Sequence, residues 1–296
     1  MAHQLTLNLV NLGQSDINYK VSKFPDGQQS IEILNTDRMI AIDMPIPVKI
    51  KSRLNSFKDL ELIICATQAL KNLRFSNIEL YVPYFLGARS DRQFTGGSIN
   101  YLKQVICPII NSQGYSKVYV LDPHSDVLEA CLNNFAKFSN YDLVNFALDN
   151  LKGRSAQTAL VSPDAGALKK IYDVAKEFNI ANVTTASKVR DITTGNILRT
   201  ELPAIDFYDI EHVIIVDDIC DGGRTFTELA KEIKKQTYKP IYLVVTHGIF
   251  SGGVEKLSDY FDGIFCTNSI KDLDPETIKV QSRQNDSNFV KQLNVF

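Results

Sequence analysis

The sequence predicts an α/β protein of two similar domains, each a mainly parallel sheet flanked by helices. Three observations predict it. Short β-branched runs alternate along the 296 residues with longer apolar patterns of helical spacing, the order in which parallel sheets with crossover helices are built. Several strand-like runs end in Pro, Asp or Gly, as strands do where a polar turn opens a helix at a sheet's carboxyl edge. The two halves also echo each other: Tyr81–Ala88 and Leu160–Ala167 each run from strand through a Pro turn to a helix start, and each is followed by a strand ending in acid, Val120–His124 and Ile215–Asp218. The expected boundary lies near Asp149–Ser155. That gives domains 1–149 and 150–296, with the last ~10 residues returning to the N-terminal one.

Taken in order, the expected strands are Leu5–Val10, Ile31–Ile33, Met39–Ile42, Ile78–Val82, Lys117–Leu121, Asp142–Asn145, Ala159–Val161, Asn182–Thr185, Val213–Val216, Ile241–Thr246 and Gly263–Cys266, each a short run rich in apolar or β-branched residues. Helical spacing appears at Ser56–Arg74, Ser98–Gln113, Asp126–Phe138, Ala165–Phe178 and Thr225–Gln236. No segment is of low complexity.

Composition narrows the function. A formal charge of −2 argues against broad binding to nucleic acid or an anionic membrane. No apolar run approaches a membrane span, and the N-terminus lacks the basic start and apolar stretch of a signal peptide, so a cytoplasmic protein is expected. The five cysteines are scattered, without C-x-x-C spacing, and read as reduced core residues; Cys220 has no evident activating base.

The chemistry concentrates in Val213–Thr225. Four β-branched apolar residues run into Asp217 and Asp218, then into the turn Asp221, Gly222, Gly223, Arg224, Thr225, with Phe226, Leu229, Ala230 and Ile233 at helical spacing behind it. The glycines can take positive φ, letting several backbone N–H groups converge on one anion at a helix N-terminus. The acids are placed for sugar hydroxyls or a metal bound to them. No Gly-Lys-Ser/Thr ends the turn, so this is not a Walker loop.

Other segments are weaker alone. Phe24, Asp26 and Gly27 lie in a Pro-Asp-Gly turn. Arg89, Asp91 and Arg92 follow a strand, where guanidinium groups grip phosphate oxygens. Asp122-Pro123-His124 and Ser162-Pro163-Asp164 end two more strands, offering an imidazole and carboxylates to a divalent cation. Lys188-Val189-Arg190 precedes the polar loop Asp191–Asn196, a position from which cations can close over a migrating phosphoryl group.

In this order the segments resemble the ribose-phosphate diphosphokinase (PRPP synthetase) family, whose domains have a type I phosphoribosyltransferase-like fold. Phe24–Gly27 is followed by Tyr81–Arg92, similar to P-Y-x-x-x-A-R-Q-D-R, by Leu121–His124 (L-D-L-H) and by Val161–Gly166 (V-S-P-D-x-G). Lys188–Arg190 falls at K-R-R, Val216–Thr225 at D-D-I-I-D-T-A-G-T, and Thr246–Gly252 and Thr267–Ile270 match late T-H…S-G and T-N-S-I elements. The resemblance implies transfer of the β,γ-diphosphoryl group of ATP to ribose 5-phosphate, giving PRPP and AMP. It implies Mg²⁺ held by His124 and Asp164, and Lys188 and Arg190 as the catalytic cations. ATP would be bound by Phe24, Asp26, Arg89, Asp91 and His124. Ribose 5-phosphate would be bound by Asp217, Asp218 and Asp221–Thr225, in a homo-oligomer that is at least a dimer and in the family often a hexamer. The chain departs from the family at Gln28, Ser90, Val189, the uncharged stretch Gln93–Ser98 and Arg224, which stands where the family usually has Gly. The competing expectations are a PRPP-consuming phosphoribosyltransferase and a non-catalytic regulatory subunit.

Overall fold

The computed structural model describes residues 4–36, 46–151, 155–190, 197–274, 278 and 288–296, with the backbone alone for 188–190 and 197–199. The chain forms two compact units, one of Met1–Ser139 with Val295–Phe296, the other of Asn140–Asn294.

The first unit is built on a parallel sheet of β1 (Leu5–Asn8), β4 (Val48–Lys51), β5 (Ile78–Tyr81), β6 (Lys117–Leu121) and β7 (Phe135–Phe138), in that order. A separate antiparallel hairpin joins β2 (Tyr19–Lys23) to β3 (Gln29–Ile33). Helix α1 (Phe57–Asn72) is started by Ser56, which accepts the N–H of Asp59 while donating its hydroxyl to the Asp59 carboxylate, a reciprocal cap. Its stripe Leu60, Ile63, Ala66 and Leu70 enters one core with Ile50, Leu80 and Val118 from the sheet and Ile106 and Ile110 from the next helical segment. That segment is a π-helical turn, Leu102–Ile106, running into α2 (Cys107–Ser112) at Pro108. A short α3 (Val127–Cys131) follows β6.

In the second unit the parallel order is β15 (Val290–Leu293), β14 (Gly263–Thr267), β13 (Ile241–Gly248), β12 (His212–Cys220), β8 (Thr158–Ser162), β9 (Asn182–Thr185). One face packs Val213, Ile215, Leu243 and Val245 against α6 (Arg224–Lys234). The other packs Leu160, Ile214, Val216 and Val244 against α4 (Tyr141–Asn150) and α5 (Leu168–Glu177). A two-stranded antiparallel ribbon, β10 (Ser187–Arg190) with β11 (Ile197–Glu201), stands beside the sheet in sequence.

Several expectations are corrected. Asp142–Asn145 is the start of α4, because Leu143, Val144 and Ala147 share one buried helix face. The second unit accordingly begins before the sequence boundary at 149/150. The helix expected over Asp126–Phe138 stops at Cys131: Leu132 is extended, Asn134 takes φ +55°, and the chain turns into β7 beside β6. The helix over Ser98–Gln113 begins only at Leu102. Strands β2, β4, β7, β10, β11 and β15 were not anticipated, and Met39–Ile42 lies outside the described residues. Of the chain's last residues, β15 belongs to the second unit's sheet and only Val295–Phe296 to the first unit. Among the described residues no helix is long and apolar enough to cross a membrane.

Candidate functional site

The second sheet reverses its strand order once. From β8 the chain goes to β9 on one side and then returns to β12 on the other, so the carboxyl ends of β8 and β12 flank a topological switch point, where open α/β sheets bind ligands. Asp164 follows β8, its carboxylate accepting the N–H groups of Gly166 (3.0 Å) and Ala167 (3.3 Å). Asp217 and Asp218 lie near the end of β12. The strand, expected to stop at Val216, continues through both acids to Cys220, which pairs with Gly248 of β13. Asp218 is buried and donates its backbone N–H to the Asp217 carboxylate at 2.9 Å. Burial first, then the Asp218 carboxyl and lastly Asp164, push the Asp217 carboxyl well above the usual carboxylate range; the Asp218 N–H opposes the shift. Three acids thus crowd one end of the crevice.

The turn that follows is only Asp221, Gly222 and Gly223. Positive φ is taken by Gly223 alone, at +81°, where it caps α6 and its carbonyl accepts the N–H groups of Phe226 and Thr227. A Cβ on Gly223 would lie 2.6 Å from Leu257 Cδ2, whereas one on Gly222 would meet nothing within 4 Å. Arg224, expected within the turn, is the exposed first residue of α6, and Thr225 is the second. The helix therefore starts one position before the expected Thr225, and its unpaired N-terminal N–H groups open beside the turn.

One set of contacts was missed from sequence. The N–H groups of Ile249 and Phe250 donate to the Cys220 carbonyl at 2.9 and 3.1 Å, and Ser251 Oγ donates to Asp221 Oδ1 at 2.5 Å. The signal available was the Ser251-Gly252 pair after β13, a turn sequence with a hydroxyl. Cys220 is buried, and burial followed by the charges of Asp217 and Asp221 pushes its thiol up to about 12, in keeping with an inert core cysteine.

In the first unit, Arg89 is exposed on the turn after β5. Gly87 in that turn has φ +84°, with Tyr101 packed where a side chain would be. Asp91 is buried: its carboxylate accepts Ser125 Oγ at 2.6 Å and lies 3.8 Å from Arg92 Nε, so it ties the turn after β5 to the turn after β6. In that second turn Asp122 is buried at φ +43°, and its N–H donates to the Phe138 carbonyl at 2.8 Å. His124, two residues on, is exposed. Phe24 and Asp26 sit at the tip of the β2–β3 hairpin; Phe24 is 51% exposed, Gly27 takes φ +100°, and Asp26 accepts the N–H of Gln28.

Lys188 and Arg190, expected in a loop, lie in β10 at register positions opposite Thr200 and Ile197, with a bulge between Val189 and Arg190. Their side chains and the loop Asp191–Asn196 lie outside the described residues. His124 and Asp164, the expected metal pair, fall in different units. Among the described residues no group of three or more His, Cys, Asp or Glu could hold a metal ion.

The phosphoribosyl transferase domain family matches residues 141–281, which lie within the second unit and include its switch point. Across the chain as a whole, the ribose-phosphate pyrophosphokinase of Thermococcus kodakarensis is 26% identical over 88% of this chain and 89% of its own length. That of Vibrio cholerae is 24% identical over 84% and 78%. The crystal structure of phosphoribosylpyrophosphate synthetase from Mycobacterium smegmatis shares the fold, with a TM-score of 0.72 over 96% of this chain and 88% of that one at 14% identity. Over most of its length the chain is thus similar to ribose-phosphate pyrophosphokinases.

Proposed function

We propose that the chain transfers the β,γ-diphosphoryl group of ATP to the anomeric hydroxyl of ribose 5-phosphate, releasing AMP and PRPP for nucleotide or pyridine-nucleotide synthesis. The observation that carries this is the acid pair Asp217–Asp218 followed by the Asp221–Gly223 turn at the switch point of the second sheet. A sugar phosphate needs both: acceptors for its hydroxyls and converging N–H groups for its dianion. The N–H groups of the turn and of the first turn of α6 receive the 5-phosphate, with the Arg224 guanidinium adding a bidentate donor. Asp217 and Asp218 accept the ribose hydroxyls, directly or through a divalent cation, and such a cation would offset the burial and the Asp218 charge that raise the Asp217 carboxyl.

The anomeric hydroxyl oxygen attacks the β-phosphorus, its proton passing to solvent, as the bond from that phosphorus to the α,β-bridging oxygen breaks and AMP departs. Such a displacement depends on positioning and charge stabilisation. Lys188 and Arg190 supply cations to the migrating group. Arg89 and His124 hold ATP phosphates, with Asp91 fixing the turn that presents Arg89. Phe24 and Asp26, at the tip of an exposed hairpin, receive adenine of ATP bound to a neighbouring subunit, which makes the active form a homo-oligomer, at least a dimer. Carboxylates and phosphates suit Mg²⁺; Asp164 and His124 are the residues that would hold it, and it would neutralise charge on the polyphosphate. The setting is cytoplasmic.

The test is an assay of the purified protein with ATP, Mg²⁺ and ribose 5-phosphate, which should yield AMP and PRPP in equal amounts. Turnover only when PRPP and a nucleobase are supplied would identify a PRPP-consuming transferase. No turnover with any nucleoside triphosphate would identify a regulatory subunit.

A further inference from the structure

The turn after β13 is laid along the phosphate turn of β12. Two of its N–H groups, from Ile249 and Phe250, end on the carbonyl of Cys220, the residue before Asp221. Gly252 runs beside the phosphate turn: a Cβ there would make ordinary contact, 3.5 Å from the Gly222 carbonyl oxygen. Leu257, farther along, fills the space where Gly223 lacks a side chain. The turn itself is fixed by unusual backbone: Phe250 at φ +48° and Gly253 at φ +80°. Between them Ser251, with an exposed side chain, donates its hydroxyl to Asp221 Oδ1.

Asp221 is an awkward residue for a phosphate cradle. Its carboxylate stands in the three-residue turn whose N–H groups are to meet a dianion, and an unrestrained carboxylate beside a phosphate repels it. A short hydroxyl-to-carboxylate bond both delocalises its charge and fixes its direction.

We propose that Ser251 is a positioning residue for the phosphate turn, acting through Asp221: the hydroxyl holds the one acid of the cradle on the β13 side and so fixes the direction of the Gly222 and Gly223 N–H groups. The inference rests on the ribose 5-phosphate reading given above. Ser251 touches no reacting atom; it sets the affinity for the sugar phosphate and not for ATP.

The experiment is calorimetric titration of the full chain with ribose 5-phosphate, alongside steady-state kinetics, for wild type, Ser251→Ala, Ser251→Thr, Asp221→Asn and the double variant S251A/D221N. Ser251→Ala weakens ribose 5-phosphate binding about tenfold, the scale of one lost bond to a charged group, and raises KM for ribose 5-phosphate while leaving KM for ATP unchanged. Ser251→Thr, which keeps the hydroxyl, restores binding. In the Asp221→Asn background the loss of Ser251 has much less effect, because the charge it restrains is gone. Wild-type affinity in Ser251→Ala, or an equal loss with and without Asp221, overturns the inference. Absence of ribose 5-phosphate binding by the wild type itself overturns the functional reading first, and this inference with it.

Discussion

Asp217 holds a proton more tightly in the folded chain than out of it, because burial and the Asp218 carboxyl penalise its charge. An unfolded Asp ionises near pH 4, so between that pH and the higher folded value the native state carries a proton that the unfolded state lacks. Stability through this group is therefore greatest at low pH and is lost as pH rises through the window. Asp217→Asn removes the penalty: Tm rises at neutral pH, the gain shrinks as pH falls, and it vanishes below about pH 4. Thermal denaturation across pH 4–8 measures this, and a gain independent of pH would contradict it. At the same residue scale, the candidate acids were legible in the sequence because carboxylates ending a β-branched run have little reason to be there except to meet water or a ligand. Asp91 was legible as an acid near a strand end but not as a tether, since its partner Ser125 is distant in sequence and nothing local announces the pairing. Ser251 was legible as a turn residue, but its partner Asp221 was hidden for the same reason.

The Asp221–Gly223 turn carries the proposed phosphate site, and its two glycines are not equivalent. Gly223 needs both its left-handed backbone and its missing side chain; Gly222 needs neither. Gly223→Ala costs about 1–2 kcal/mol from backbone conformation alone, with the contact against Leu257 added, and it weakens ribose 5-phosphate binding. Gly222→Ala leaves stability nearly unchanged. Chemical denaturation of the two variants tests the difference; equal effects would contradict it. The two glycines look alike in sequence, because what separates them is Leu257 on another segment. β12 outran its expected end for a related reason. Local chemistry favours a stop at the acids, but pairing with β13 as far as Gly248 carries the backbone on to Cys220. Strands rich in β-branched or apolar residues, such as Lys117–Leu121 and Asn182–Thr185, were placed correctly from sequence. The polar or short ones, β2, β10 and β11, were not, since hydrophobic periodicity says little about ribbons whose register is set by pairing.

At the scale of the whole molecule, each unit has its own sheet and core, which the alternation of strands and helices foretold. Which residues belong to which unit was less legible, because the assignment follows packing and not local pattern: α4 packs with the second sheet, and Phe296 returns to the first unit. The Phe296 ring lies 6.4 Å from that of Tyr81 and 5.4 Å beneath the Arg53 guanidinium, and it is only 8% exposed. Phe296→Ala loses about 2 kcal/mol of buried surface and lowers Tm, as differential scanning calorimetry would record; an unchanged Tm would place the ring outside the unit's packing. The route of the chain also has a consequence for how it is made. Residues 295 and 296 leave the ribosome only after every residue of the second unit, so the first unit, begun earliest, gains its closing aromatic contact last. During synthesis the older half waits on the younger one to be finished.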